Sequence, residues 1–369
     1  LTGGRPQECE GIPGNAMAIP EMPSRSRRRD RIRDRRGRSL AGGPAVEGTG
    51  RGVPVADYGG RMTATHSLHE LLRHGPAAID GGLASELEAR GHDLTGDLWS
   101  ARLLRDDPSA IRDVHTTYFL AGATVGISAS YQASRSGFVR AGLTADDADH
   151  LLTLSAQLVR EARAVAAGAG AHHPMLVAAS VGPYGATLHD GSEYRGRYGV
   201  DFESLLHFHR ERLEVLVAAR PDLLAIETIP DLDESRAILE ALRGFDVPAW
   251  MSFSCADSAT TCAGQPIEEA AALVAGAGLA AIGVNCTKPE HMSGLVERIR
   301  ATAPSLPVVV YPNAGRVWDG AASVWLGDGS DVLPEAAVAS WFDDGVSLVG
   351  GCCGLGPQAI ESVVAVASR

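Results

Sequence analysis

From residue 67 onward, short apolar runs alternate with longer stretches whose apolar positions recur at helical spacing. The runs fall at 77–80, 124–130, 175–181, 223–228, 249–254, 280–285, 307–311 and 346–350. None alternates strictly between apolar and polar residues, which predicts strands covered on both faces. Helices are predicted between them at 108–120, 144–167, 202–219, 232–242, 267–275, 289–302, 334–342 and 357–367. Asp107 followed by Pro108 marks one helix start, and Thr144 caps another. Eight strand–helix units in succession predict an α/β fold, a (β/α)8 TIM-type barrel occupying 67–369 as a single domain. An open doubly wound sheet is the alternative. The strand number and the lack of a glycine-rich phosphate fingerprint weigh against it.

Residues 1–66 break this pattern. They are rich in Gly, Pro, Arg and Ser, show no periodicity, and include a dense basic stretch at 25–38. Three readings stand, an arm for nucleic acid or an acidic surface, a disordered basic extension, and a start-site artefact with translation beginning near Met62. The net charge of −12 is unevenly spread: residues 1–60 hold 11 Arg and 7 acidic residues, leaving about −16 for the rest. So acidic a body argues against nucleic acid as a partner. Apolar residues make up 45% of the chain, yet no run of about 18 uncharged apolar residues occurs, so no membrane span is expected. Six cysteines in 369 residues, two of them adjacent, do not form a disulfide framework and point to a reduced, cytoplasmic protein.

In a parallel barrel the C-terminal ends of the strands gather on one rim, where catalytic groups sit. At those ends stand Asp80-Gly81-Gly82, Tyr131, Glu227-Thr228, Cys255, Asn285-Cys286, Asn313 and Cys352-Cys353. Converging thiolates from Cys286, Cys352 and Cys353 would make a soft site suited to zinc, with a fourth position left open for chemistry. Neighbouring side chains on a strand point to opposite faces, so the backbone must leave strand geometry at the cysteine pair. Gly350, Gly351 and Gly354 supply the permissive backbone. The competing reading is a pair of packed cysteines or a strained adjacent disulfide. Cys255 is expected to be a packed residue, and His115, in mid-helix, a packing or surface residue. Tyr131 and Trp99 are aromatics able to face a cationic substrate. Asp80 and Glu227 suit an ammonium partner, or an ion pair with Arg135 or Arg195. Asn285 and Asn313 suit either substrate contact or hydrogen bonding to the rim loops.

Several blocks together carry a family resemblance. They are Asp80-Gly81-Gly82 with Glu86 and Glu88, then 98–101, 129–134, 182–185, 190–196, Glu227-Thr228, 283–286, 311–313 and 350–354. Over about 70–366 the chain resembles the homocysteine S-methyltransferase family, most of all the branch using S-methylmethionine or S-adenosylmethionine. The betaine-using branch is less similar because it lacks the 190–196 block. Ser85 departs from the family, where Thr is frequent, and keeps the hydroxyl. The resemblance implies Zn2+ held by Cys286, Cys352 and Cys353. It also implies that the amino acid end of L-homocysteine is held by Asp80, Gly81, Gly82 and Glu227. The expected activity is methyl transfer from a sulfonium donor to a zinc-bound homocysteine thiolate, giving methionine. The expected partners are these small molecules alone. Selenohomocysteine or selenocysteine as acceptor, betaine as donor, and a non-catalytic zinc clip or redox switch remain the alternatives.

Overall fold

The computed structural model describes residues 67–94, 99–315, 317–319, 324–326 and 329–369, so the extension read at 1–66 lies outside the described residues. Among those described, eight parallel strands form one sheet. They are β1 (Ala77–Ala78), β2 (Val125–Ile127), β3 (Leu176–Val181), β4 (Leu223–Ile229), β5 (Ala249–Phe253), β6 (Ala281–Asn285), β7 (Val308–Tyr311) and, after a hairpin, β10 (Val346–Val349). The hairpin, β8 (Val317–Asp319) with β9 (Val324–Leu326), is antiparallel and separate from the sheet. Sheet order is β1-β10-β7-β6-β5-β4-β3-β2. The ends of that order also meet, because Thr124 N donates to Ala78 O at 2.7 Å and Asp80 N to Val125 O at 3.0 Å. The sheet thereby closes on itself, and the barrel expected from the alternation is the observed architecture.

All eight expected strands are present, and the first two fall furthest short of their apolar runs. After β2 the Ser128 and Ser130 side chains bond each other at 2.8 Å, and Ser130 N turns back to Ser128 O at 2.8 Å. Short polar side chains and their neighbouring backbone compete here with the sheet ladder. Long helices also fall where expected: α4 (Pro108–Leu120), α6 (Ala145–Gly168), α7 (Phe202–Ala218), α8 (Leu232–Ala241), α9 (Ile267–Ala277), α10 (Met292–Thr302), α11 (Glu335–Asp343) and α12 (Pro357–Ala367). Asp107 caps α4 through Ala110 N, and Thr144 forms a capping box with Asp147. The short helices α1 (Leu68–Arg73), α2 (Leu83–Ala89), α3 (Leu103–Asp106) and α5 (Arg135–Arg140) were not expected, being too brief for a periodic signal.

Strand periodicity sorts the residues into two layers. Ile79, Val125, Leu176, Ala178, Leu223, Ala225, Trp250, Ala281, Val309, Tyr311 and Leu348 fill the barrel, joined by Leu68 and Leu71 of α1. Only three residues separate α1 from β1, so α1 plugs the end of the barrel where the strands begin. The opposite strand faces pack on the long helices in a second, larger cluster. The strand ends that carry Asp80, Glu227, Asn285 and Cys286 lie at the opposite rim.

His115 of α4 is packed in that outer layer at 1% exposure, with no protein partner for either ring nitrogen. Burial pulls its pKa down to about 4. The unfolded chain, with an ordinary histidine, takes up the proton first as pH falls. The resulting stability is therefore complete above about pH 6.5 and is lost progressively between 6.5 and 4. His115→Leu should abolish this component. In urea unfolding, wild type should lose about 2 kcal/mol more than the variant between pH 7.5 and pH 5.

Candidate metal and substrate centre

Cys286 follows β6 directly, in a left-handed conformation with φ of 47°. Two contacts hold this uncommon backbone: Cys286 N donates to Tyr311 O at 3.0 Å, and Asn313 Nδ2 donates to Cys286 O at 3.1 Å. The second sulfur pair comes from the turn after β10. Gly351 N bonds Asp80 O at 3.1 Å, Cys352 N bonds Pro312 O at 2.7 Å, and Ala314 N bonds Cys353 O at 2.8 Å. Gly354 then turns left-handed at φ 83°, with its amide on Ser85 Oγ at 2.7 Å. Strand geometry is thus abandoned at the cysteine pair, and adjacent side chains converge. Cys353 Sγ lies 3.6 Å from Cys286 Sγ and 3.9 Å from Cys352 Sγ, with all three sulfurs within 4.8 Å of one another. They are free thiols, which rules out the adjacent disulfide in this structure. Hydrogen bonds from Cys352 and Cys353 pull the Cys286 thiol well below its usual range, helped by the Tyr194 hydroxyl at 3.2 Å. The same contact with Cys286 pushes Cys352 and Cys353 up. Among the described residues this is the group of three that could hold a metal ion, and Cys255 is not part of it.

Glu227 stands two residues after Ala225 on β4, so it shares the barrel-facing side with it. Its carboxylate accepts the Ser180 hydroxyl. Burial raises its pKa to about 7, against the hydrogen bonds of Ser180 and Tyr311. Asp80 is also buried and accepts Ile127 N at 2.7 Å. Burial pushes it well above the usual carboxylate range, opposed by Ile127 and reinforced by the negative charge of Glu227. Neither carboxylate pairs with the arginines considered for it: Arg135 is bound to Asp149 and Glu211, and Arg195 lies beside Asp190.

The remaining expected residues also lie on this rim, with definite tasks. Asn285 Oδ1 accepts Thr228 N at 2.7 Å, and its Nδ2 donates to Thr228 Oγ1 at 2.7 Å, clamping a residue with φ of 60°. Asn313 is similarly engaged, its Oδ1 accepting Gly315 N at 2.9 Å. Gly81 and Gly82 are small because the chain crosses the cysteine turn there. An added Cβ would lie 2.5 Å from Leu355 O at Gly81 and 2.5 Å from Cys352 O at Gly82. Tyr131 is half-buried against Gly182, where a Cβ would come within 2.6 Å of its ring. The Trp99 side chain lies outside the described residues.

Sequence reasoning missed the supporting groups. Arg212, on α7 and 2% exposed, donates to Gly182 O at 2.9 Å and to Ser130 O and Tyr131 O at 2.8 Å each. Nothing in a mid-helix arginine signals that task. Tyr194 and Glu193 lie in the 190–196 block, whose composition did not disclose which side chains turn inward. Ser180 was legible as a strand-end residue and Tyr311 as part of the 311–313 block, but neither as a partner of Glu227.

The family model for homocysteine S-methyltransferase matches residues 77–367. Homocysteine S-methyltransferase 4 of Zea mays is 42% identical over 321 residues, covering 83% of this chain and 94% of that protein. Homocysteine S-methyltransferase YbgG of Bacillus subtilis is 40% identical over 303 residues, covering 80% and 96%. The metallated form of the homocysteine methyltransferase MmuM from Escherichia coli superposes with a TM-score of 0.71 at 38% identity, covering 79% of this chain and 96% of that one. A superposable fold, with matching sequence along nearly the whole barrel, places this chain in the homocysteine S-methyltransferase family.

Proposed function

We propose that this protein transfers a methyl group from a sulfonium donor, S-methylmethionine or S-adenosylmethionine, to the sulfur of L-homocysteine, giving methionine. The observation carrying this reading is the spacing of the three thiols. A tetrahedral zinc site with Zn–S bonds of about 2.3 Å has sulfur–sulfur edges of about 3.8 Å. The separations of 3.6 and 3.9 Å match that edge. Cys286, Cys352 and Cys353 would hold the ion through three sulfurs and leave one position open, which suits a substrate thiol. Bound zinc supplies the charge that lets a thiol of ordinary pKa about 8.5 be deprotonated at neutral pH. Asp80 and Glu227 orient the acceptor by taking its ammonium group, and a bound cation lowers the cost of keeping both carboxylates ionised and buried. In the transfer, the donor S–CH3 bond breaks as a new bond forms to the acceptor sulfur. The acceptor proton goes to solvent, and the donor leaves as a neutral thioether. Asn285 and Asn313 position Thr228 and Cys286 rather than offering open amide groups, on the strength of their hydrogen bonds.

The function is tested by offering purified, zinc-loaded protein homocysteine with S-methylmethionine, S-adenosylmethionine or betaine and measuring methionine. Turnover with one of the sulfonium donors is expected; turnover with betaine alone would overturn the reading. About one zinc per chain is expected by elemental analysis. Cys352→Ala should lose most of the metal and nearly all turnover, and full activity in the zinc-free variant would exclude a role for the ion.

Glu227→Gln should keep shape and zinc content while removing charge. Loss of a charge-assisted hydrogen bond should raise the homocysteine dissociation constant roughly tenfold to a hundredfold. Binding of 3-mercaptopropionate, which has the thiol but no amino group, should change little. Equal weakening of both thiols would assign Glu227 to the support of the metal or fold.

A further inference from the structure

Asp80, Glu227 and Glu193 are buried carboxylates of this rim, and the charge of Cys286 acts on the last two. The buried cation that acts on Glu227, Arg212, is already committed to the carbonyls of Gly182, Ser130 and Tyr131. On the reading above, the acceptor ammonium answers Asp80 and Glu227, which leaves Glu193. Its residue exposure is 9%, and its Oε2 is buried without a protein partner. Arg195, two positions on, is 65% exposed in its side chain and engaged with Ser192 and Asp190. It does little to neutralise Glu193.

The placement of Glu193 is built, not incidental. The turn Ser192–Tyr194 is set by Asp190 Oδ1, which accepts Ser192 N at 2.9 Å, and by Gly191 at φ 76°. It brings the Tyr194 hydroxyl to 3.2 Å from Cys286 Sγ. The negative charge of Cys286 acts on Glu193, and Glu193 is the foremost charge acting on the Tyr131 hydroxyl. A buried carboxylate oxygen with no donor destabilises the fold that carries it. A cation arriving between Glu193 and the Tyr131 ring would relieve that penalty, through the carboxylate on one side and the aromatic group on the other.

We propose that Glu193, together with Tyr131, forms the subsite for the positive charge of the methyl donor, a methylsulfonium amino acid. This inference rests on the methyl-transfer reading. It adds a means of discrimination: the sulfonium substrate carries the charge that Glu193 answers, and the thioether left after transfer does not. The spent donor therefore loses its hold as the reaction completes.

The test is calorimetry without acceptor, so that no methyl is transferred. It compares S-methylmethionine with methionine, its neutral thioether counterpart. S-adenosylmethionine against S-adenosylhomocysteine serves if wild type takes that donor instead. Glu193→Gln should weaken the sulfonium compound roughly tenfold to a hundredfold and leave the thioether and homocysteine within about twofold. Its melting temperature should stay level or rise, because an unpartnered buried charge has been removed, whereas a structural glutamate would lower it. Glu193→Asp, which keeps the charge, should retain more sulfonium affinity than Glu193→Gln. Unchanged sulfonium binding, equal weakening of charged and neutral ligands, or weakening of homocysteine alone would each overturn the proposal. If wild type binds the sulfonium compound but methylates no homocysteine, the methyl-transfer reading fails and the subsite stands. If wild type does methylate homocysteine and Glu193→Gln is indistinguishable from it, this inference alone fails.

Discussion

The centre depends on one departure from regular backbone, the turn that lets two adjacent cysteines face a third. On a strand, Cys352 and Cys353 would point to opposite sides of the barrel wall. The chain instead leaves β10 through glycines and is fastened by groups from separate parts of the barrel. Asp80 O comes from the loop after β1, Pro312 O and Ala314 N from the loop after β7, and Ser85 Oγ from α2. Cys286 is held just as indirectly, by the carbonyl of Tyr311 and the amide of Asn313. No single strand–helix unit could produce this arrangement. It requires the first and last strands of the barrel to lie side by side, with β1 paired to β10 and β10 to β7.

That requirement explains why the first-strand loop is so small. Gly81 and Gly82 pass the carbonyls of Leu355 and Cys352 so closely that any Cβ would collide with backbone. Backbone has no rotamer with which to yield, so substitution there would displace the cysteine turn itself. Residues that resemble substrate contacts in sequence are thus also the mould in which the thiols are set. The same holds for Asn285 and Asn313, whose amide groups maintain left-handed residues at the ends of β4 and β6.

The electrostatic character of the rim follows from burial without matching cations. Asp80, Glu227 and Glu193 all have their acidity weakened chiefly by desolvation. The buried guanidinium acting on Glu227, that of Arg212, holds carbonyl oxygens instead of a carboxylate. Such a site is unfavourable for the fold alone and becomes favourable when positive charge enters. A metal cation at the sulfurs, an ammonium at the barrel axis and a sulfonium beside Tyr131 would each answer a different part of it, in keeping with the acidic charge of the whole chain.

The sequence by itself determined the strand count, the barrel class and the family, because each rests on local apolar spacing or on contiguous blocks of residues. It also identified which residue types end each strand, since a rim position is read directly from the last apolar residue of a run. It did not disclose α1 as the barrel plug or the lengths of β1 and β2, because short elements carry too few residues for a period. Only the tertiary structure decided which way the rim side chains turn and what they bind. Asn285 clamps Thr228, Arg212 reaches two loops from a helix, and the buried Oε2 of Glu193 is left without a protein partner. Those outcomes depend on contacts between residues 50 to 80 or more positions apart. Such contacts are created when distant strands and helices pack together, and they leave no trace in the neighbouring sequence.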